Sequence, residues 1–354
     1  MKKSFLALAL ISAFSGAAFA QSSVTIYGIA DAGVQGLSTG SGKVFSLQSG
    51  QENGSRLGFK GTEDLGNGLK ANFVLEQGIN IDTGASGQSA TFGRRATVGL
   101  SSDFGTVDLG RDKSPTFKFF DNFDPFASGF INSGNGLSGI YTIGGNATTT
   151  GVTSTSRGRV TNSVFYATPN TLSGFTALGQ YGFGEAAGDN SNGRSLGVNL
   201  GYKIEGLELG YSYLKDNATS AALVTNGKKA NTVAATYDFG VAKPVVIYQK
   251  STDDLGLSKK TYTLGVTVPV TTAGKVLATF TNVKNDTAFG TKGATVGSAK
   301  QFAVGYQYAL SKRTDLYTAY ARTNQDANSA GFEGLKSSLG ANINEVTAGV
   351  RHQF

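Results

Sequence analysis

Few residues in this chain could carry bond-making chemistry. One histidine, His352, leaves a single imidazole for any relay or metal site, and the absence of cysteine removes disulfides, thiolate zinc sites, iron–sulfur clusters and cysteine nucleophiles. The run Gly134-Asn135-Gly136-Leu137-Ser138-Gly139 has the G-x-G-x-x-G spacing of a phosphate cradle, but no strand precedes it and no amphipathic helix follows, so it reads as loop. Asp253-Asp254 has the look of a paired carboxylate site and simply opens a polar connection. His352 shares the parity of Val346, Val350 and Phe354, where an interfacial ring fits better than a general base. The expectation is no enzyme, no cofactor and no metal. What remains is a set of basic residues alternating with apolar ones, Arg56, Lys60, Arg95 and Arg159, together with two carboxylates, Asp121 and Asp124. Fixed charges of this kind, held on one face toward water, act on ions through their field.

The elements that hold these charges are strands. Leu196, Val198, Leu200, Tyr202 and Ile204 alternate with Ser195, Gly197, Asn199, Gly201 and Lys203, a period of two. The same split recurs at Tyr262, Leu264, Val266 and Val268 against Thr261, Thr263, Gly265 and Thr267, and at Phe302, Val304, Tyr306, Tyr308 and Leu310 against Gln301 to Ala309. Short connections (63–68, 102–105, 205–206, 271–274, 311–313) alternate with long polar ones (82–90, 185–192, 217–228, 286–298, 324–342). Tight turns at one rim, loops at the other and a dyad apolar pattern are the marks of a transmembrane antiparallel β-barrel, whose closure satisfies every backbone donor and acceptor. The strands start near 24, 53, 69, 92, 106, 159, 175, 194, 207, 230, 243, 259, 275, 299, 313 and 342, about 16 in all. A soluble sandwich would also alternate, but would carry more Lys and Glu on its wet faces than a chain with 16% charged residues concentrated in loops.

Residues 1–20 stand apart from this pattern. Lys2 and Lys3, an apolar core from Phe5 to Phe14 and the small-residue end Ala18-Phe19-Ala20 read as a signal peptide cleaved between Ala20 and Gln21, leaving one barrel domain over 21–354. Beyond residue 20 no apolar run approaches the length of a spanning helix. The formal charge of +7 contains no basic run of the kind that grips nucleic acid.

Parity then sorts the charges. Leu57 and Phe59 face lipid, so Arg56 and Lys60 face the lumen; Ala96, Val98 and Leu100 put Arg95 inside, and Val160 and Val164 do the same for Arg159. A charge on the lipid face near the midplane costs roughly 2–4 kcal/mol, which gives the assignment its energetic reason. By the same rule Lys70 and Glu76 face inward, while Arg94 falls on the outward parity at a strand start and is expected at a rim. The longest stretch without alternation, 113–157, carries Asp121 and Asp124 beside Phe117, Phe119, Phe120, Phe123 and Phe126, aromatics suited to fixing a loop against a wall.

Several long motifs resemble the trimeric general porins of the beta-proteobacterial outer membrane, in the right order and over essentially the whole mature chain. They are Ser23 to Asp31, "GSRLGFKGTEDLGNGLKANFVLEQG" (Gly54 to Gly78), "FGRRATVGLSSDFGTVDLGR" (Phe92 to Arg111), "NSVFYATPNTLSGF" (Asn162 to Phe175), "LSKRTDLYTAYAR" (Leu310 to Arg322) and "AGVRHQF" (Ala348 to Phe354). The resemblance implies a water-filled channel for passive diffusion of small hydrophilic solutes and ions, a homotrimer, and a third loop (113–157) folded into the lumen. It also implies an arginine cluster opposite acidic loop residues, here Arg56, Arg95 and Arg159, with Lys60 on the same wall, facing Asp121 and Asp124, hence a mild anion preference. Terminal Phe354 resembles the aromatic signal read by the barrel-insertion machinery, and outer-membrane lipid and lipopolysaccharide are the expected surroundings. A substrate-specific channel for anions, carboxylates or sugars is the alternative, although the inward positions are mainly Gly, Thr, Ser, Asn and Gln without an aromatic slide; a plugged structural or adhesive barrel ranks below it.

Overall fold

The computed structural model describes residues 23–39, 42–129, 158–169, 172–217, 227–254, 258–285, 298–326 and 340–354. The expected cleavage point at Ala20–Gln21, the Gly134–Gly139 run and the 130–157 part of the long loop lie outside these residues.

Seventeen strands among the described residues join in one antiparallel sheet. In chain order they are β1 (Ser23–Ser38), β2 (Lys43–Ser49), β3 (Arg56–Gly66), β4 (Leu69–Gly78), β5 (Arg95–Ser102), β6 (Gly105–Lys113), β7 (Arg159–Ala167), β8 (Phe175–Gly182), β9 (Ser195–Ile204), β10 (Leu207–Asp216), β11 (Lys228–Tyr237), β12 (Lys243–Asp253), β13 (Ser258–Pro269), β14 (Gly274–Asn285), β15 (Ala299–Ala309), β16 (Thr314–Gln325) and β17 (Ile343–Gln353). From β3 onward each strand pairs with its sequence neighbour, and β1 pairs with β17, so the sheet closes on itself. The first strand carries two partners on its other edge, β3 along residues 23–29 and β2 along 32–38. The two partners are one wall position interrupted at residues 50–55, and the barrel therefore has 16 staves. Alternation alone did not reveal β2, because Val44, Phe45 and Leu47 sit in a short run cut off from Arg56 by the Gly50–Ser55 interruption.

Outward positions are apolar and inward ones polar or small. Val24, Ile26, Val98, Val246, Leu264 and Val346 are exposed on the outside, while Gln35, Thr97, Ser212, Thr232, Thr263, Thr281 and Thr347 are buried on the inside. Short turns are made where glycine and asparagine permit left-handed backbone: Gly66, Asn67 and Gly68 all have positive φ at the β3–β4 turn.

One helix interrupts the β pattern. After β6 the chain forms α1 (Pro115–Phe123), whose start is fixed by Pro115 in the first turn and by the Ser114 hydroxyl accepting from the Phe117 amide at 3.1 Å. Its buried face, Phe119, Phe120 and Phe123, packs on Ala234, Val245 and Ile247 of the inner wall, and Phe126 belongs to a second buried cluster with Leu277, Val283, Ala303, Tyr317, Ala319 and Ala321. The wall yields space with inward glycines. A Cβ on Gly197 would lie 2.8 Å from Pro115, one on Gly210 2.7 Å from Phe119, one on Gly265 2.8 Å from Pro125, and one on Gly305 2.9 Å from Phe126. These four sockets on β9, β10, β13 and β15 hold the start of the long loop inside the barrel. Phe117, which the sequence grouped with the pinning rings, turns instead toward the lumen, under Lys113 and Arg159.

Candidate pore constriction

An open cavity of about 520 Å³ lies between the inner wall and the start of the long loop. Four strand ends supply its basic side: Arg56 opens β3, Arg94 immediately precedes β5, Lys113 closes β6 and Arg159 opens β7. The loop side is lined by Phe117 and Asp121 of α1 and by residues 127–129.

Glu76 of β4 organises the arginines. Its carboxylate accepts from Arg94 Nε at 2.7 Å and from the Tyr27 hydroxyl at 3.0 Å, and Arg56 Nη1 lies 3.9 Å away. Arg56 is also held by the Gly54 carbonyl at 2.9 Å and by the Asn53 side-chain oxygen. Arg159 donates to the Arg94 carbonyl at 2.7 Å and lies over the Phe117 ring, 5.8 Å from its centroid. Lys113 pairs with Asp121 across the gap between strand end and helix. Charge-assisted bonds of this kind fix long, otherwise mobile side chains in place. The lining carries four cations against the three carboxylates Glu52, Asp82 and Asp121; Glu52 and Arg94 are both buried, paired to Arg351 at 2.9 Å and to Glu76 at 2.7 Å.

Of the residues singled out in the sequence, Arg56, Arg159 and Asp121 line this one cavity. Arg95 is on the inner face but outside the cavity lining, where it binds Asp108 at 3.0 Å and approaches Asp112 to 3.6 Å; Asp112 in turn takes Lys118 at 2.7 Å. Lys60 points inward farther along β3, opposite Thr25, with its ammonium 5.4 Å from the Tyr27 ring centroid. Asp124 is a correction. Its carboxylate is buried at the helix end, accepting from the Phe126 amide at 3.0 Å and the Ser128 amide at 3.3 Å, so it shapes the loop and does not line the cavity. Arg94 is the other correction: it is buried against Glu76 and lines the cavity, because parity counting fails one residue before a ladder begins. A signal was available in Arg94-Arg95, two adjacent arginines of which one would otherwise face lipid. Among the described residues no group of His, Cys, Asp or Glu is disposed to hold a metal ion, and His352 bonds to the Thr314 hydroxyl on the outer face.

A second polar cluster ties the interrupted stave to the barrel seam. Asp31 is fully buried and accepts from the Glu52 amide at 3.0 Å, from the Asn53 amide at 2.6 Å and from the Tyr317 hydroxyl at 2.6 Å. Arg351 spans Glu52 and Asp315. This bracing sets the 50–55 segment, and with it Asn53 and Gly54, behind Arg56.

Residues 7–328 match the family model of the Gram-negative porins. Over the full length of both chains the protein is 37% identical to outer membrane porin protein 32 of Delftia acidovorans and 32% identical to an outer membrane porin protein of Bordetella pertussis. Among solved structures it is similar to the anion-selective porin from Comamonas acidovorans, with a TM-score of 0.77 and 31% identity over 94% of this chain and all of that one. OmpT of Vibrio cholerae, at 16% identity and a TM-score of 0.68 over 94% of this chain and 99% of that one, shares the fold. A closed 16-stave barrel, apolar outside and polar within, bearing a charged cavity beside an inward loop and matched along its length by these relatives, belongs to the Gram-negative porin family, the channel-forming barrels of the outer membrane.

Proposed function

We propose that Arg56, Arg94, Lys113 and Arg159, opposed by Asp121 on the loop helix, form the eyelet of the pore and give it a mild preference for anions. The observation that carries the reading is the charge of the cavity lining: four cations against three carboxylates. Cations on the wall and a carboxylate on the loop set up a transverse field, which orients dipolar solutes and raises the local concentration of anions. Lys60, on the same inner wall, extends the positive potential away from the eyelet, whereas Arg95 is balanced by Asp108 and Asp112. The anion-selective porin of Comamonas acidovorans supports the sign of the preference.

The protein works as a homotrimer in this reading. Its outer face around β1 and β2 carries the small Ala30 and Ala32 beside the exposed Val34, Phe45 and Leu47, an apolar surface suited to a second barrel. The test is single-channel current across a planar bilayer in a potassium chloride gradient. Ohmic steps in groups of three with an anion-sided reversal potential are expected; a properly folded barrel that fails to conduct would refute the channel, and a cation-sided potential would refute the eyelet.

A further inference from the structure

We propose that Asn53-Gly54, in the lining of the charged cavity, is a site of spontaneous deamidation promoted by the folded pore, which exchanges the Asn53 side-chain amide for a carboxylate beside Arg56. The chemistry stands on local geometry, and only its effect on permeation rests on the eyelet reading above.

The reaction needs the nitrogen of the following residue as nucleophile, Cγ of the asparagine as electrophile, and water. A glycine after the asparagine leaves that nitrogen unshielded, because no side chain stands over it. Asn53 and Gly54 lie in the 50–55 interruption between β2 and β3, outside any ladder. Among the described residues neither the Gly54 N–H nor Asn53 Nδ2 makes a hydrogen bond, so nucleophile and leaving amine are both untethered. The Asn53 N–H, by contrast, is anchored to Asp31 at 2.6 Å, which fixes the pivot about which the Gly54 nitrogen turns toward Cγ. Both residues line the cavity, so water reaches them.

Arg56 activates the electrophile. Its Nη2 donates to Asn53 Oδ1 and its Nε donates to the Gly54 carbonyl at 2.9 Å, so one guanidinium holds the side-chain carbonyl against the backbone of the residue that attacks it. Arg94 is close as well: a Cβ on Gly54 would lie 2.7 Å from its Nη1. A positive donor on Oδ1 draws electrons from Cγ and stabilises the oxyanion of the tetrahedral intermediate.

In the first step the Gly54 nitrogen gives its proton to solvent and bonds to Asn53 Cγ. The Cγ–Nδ2 bond breaks and ammonia leaves, taking up a proton as ammonium. Water then adds to one carbonyl of the cyclic imide and breaks one of its C–N bonds, giving aspartate or isoaspartate. One water is consumed, one ammonium is released, and nothing is oxidised or reduced. The lining then carries four carboxylates, the three already there plus the new one, against four cations. The anion preference of the pore therefore declines with the age of the barrel.

The test incubates the full-length protein, folded in detergent, at neutral pH and follows the peptides containing Asn53 and Asn67 by mass spectrometry, with chromatography separating aspartate from isoaspartate. Asn67-Gly68 in the β3–β4 turn is the same dipeptide, exposed and with no arginine bonded to it among the described residues. Asn53 is expected to convert about tenfold faster than Asn67 in the folded barrel, and at the same rate as Asn67 in urea, where Arg56 no longer holds it. R56Q, checked for folding by heat-modifiable mobility on a gel, should lose that advantage; if it does not fold, R56K is read instead, because an ammonium cannot hold both oxygens in the guanidinium geometry. Asn53 that stays intact in the folded barrel over the time in which the unfolded chain converts would overturn the proposal, and so would an undiminished rate in the folded Arg56 variant. The zero-current potential in a potassium chloride gradient keeps the two readings apart. Fresh protein tests the eyelet, while aged protein and N53D should share a shift toward cations of about fourfold in the permeability ratio. Conversion in a barrel whose fresh form shows no anion preference would uphold the site and sink the eyelet; a folded N53D with the potential of an anion-selective wild type would overturn the effect on the pore.

Discussion

Replacing Arg94 with glutamine removes a cation from the cavity and leaves the Glu76 carboxylate with Arg56 at 3.9 Å and the Tyr27 hydroxyl as its remaining partners. The effect on permeating ions can be worked out. One unit charge about 6 Å from an ion in water is worth about 0.7 kcal/mol. Screening at about 0.1 M salt reduces this to about 0.4 kcal/mol. Anions lose that stabilisation while cations gain it, so the anion-to-cation permeability ratio should fall by about fourfold, seen as a shift of the zero-current potential toward the cation side. Arg94→Lys keeps the charge and should leave the ratio within about twofold of wild type, although its geometry on Glu76 is poorer. Glu76→Gln should move the ratio the other way. The barrel is held by its closed backbone ladder, so Arg94→Gln should still show the heat-modifiable mobility of a folded porin. A folded Arg94→Gln protein with an unchanged zero-current potential would refute the position of Arg94 at the eyelet.

Three further outcomes follow from the packing of the loop and the seam. Phe120→Ala empties a fully buried site between α1 and the wall, costing about 3–5 kcal/mol of local stability, and should raise open-channel noise and mean conductance in a barrel that stays folded; a quiet trace at wild-type conductance would contradict the anchoring role. Gly305→Val drives side-chain atoms into Phe126, whose ring would lie 2.9 Å from the new Cβ, and should destabilise the loop by about 1–3 kcal/mol, read as faster proteolysis within 113–158 on intact barrels. Tyr317→Phe removes a 2.6 Å bond to the fully buried Asp31 and should lower the urea unfolding free energy by about 1–3 kcal/mol, followed by the fluorescence of the remaining tyrosines; an unchanged midpoint would show that the Glu52 and Asn53 amides satisfy Asp31 alone.

The strands were legible because lipid enforces parity. Outward positions at membrane depth on β9, β13 and β15 must be apolar or aromatic, so the alternation survives in Leu196 to Ile204, Tyr262 to Val268 and Phe302 to Tyr308. The wall charges Arg56, Lys60, Arg95 and Arg159 were readable for the same reason, since parity alone gives their side. Parity says nothing where the ladder stops. It therefore missed β2, which is short and isolated by residues 50–55, and it put Arg94 on the wrong side. It also left α1 as undifferentiated loop, although Ser114-Pro115 is a recognisable helix start. Asp121 and Asp124 look equivalent in the sequence. Only the turn after α1, which aims the Phe126 and Ser128 amides at Asp124, separates a loop-shaping carboxylate from a lumen-facing one.

The seam between the first and last strands has a consequence for biosynthesis. Phe354 exchanges both backbone bonds with Gly28, at 3.0 and 3.1 Å, and Gln353 lies opposite Ile29 in the ladder. The last strand of the sheet is thus a partner of the first across the seam. A chain interrupted anywhere before its end presents a sheet with two raw edges, which neither lipid nor water can satisfy inside a bilayer. Closure therefore waits for β17: until that strand is made and paired with β1, the wall has an end.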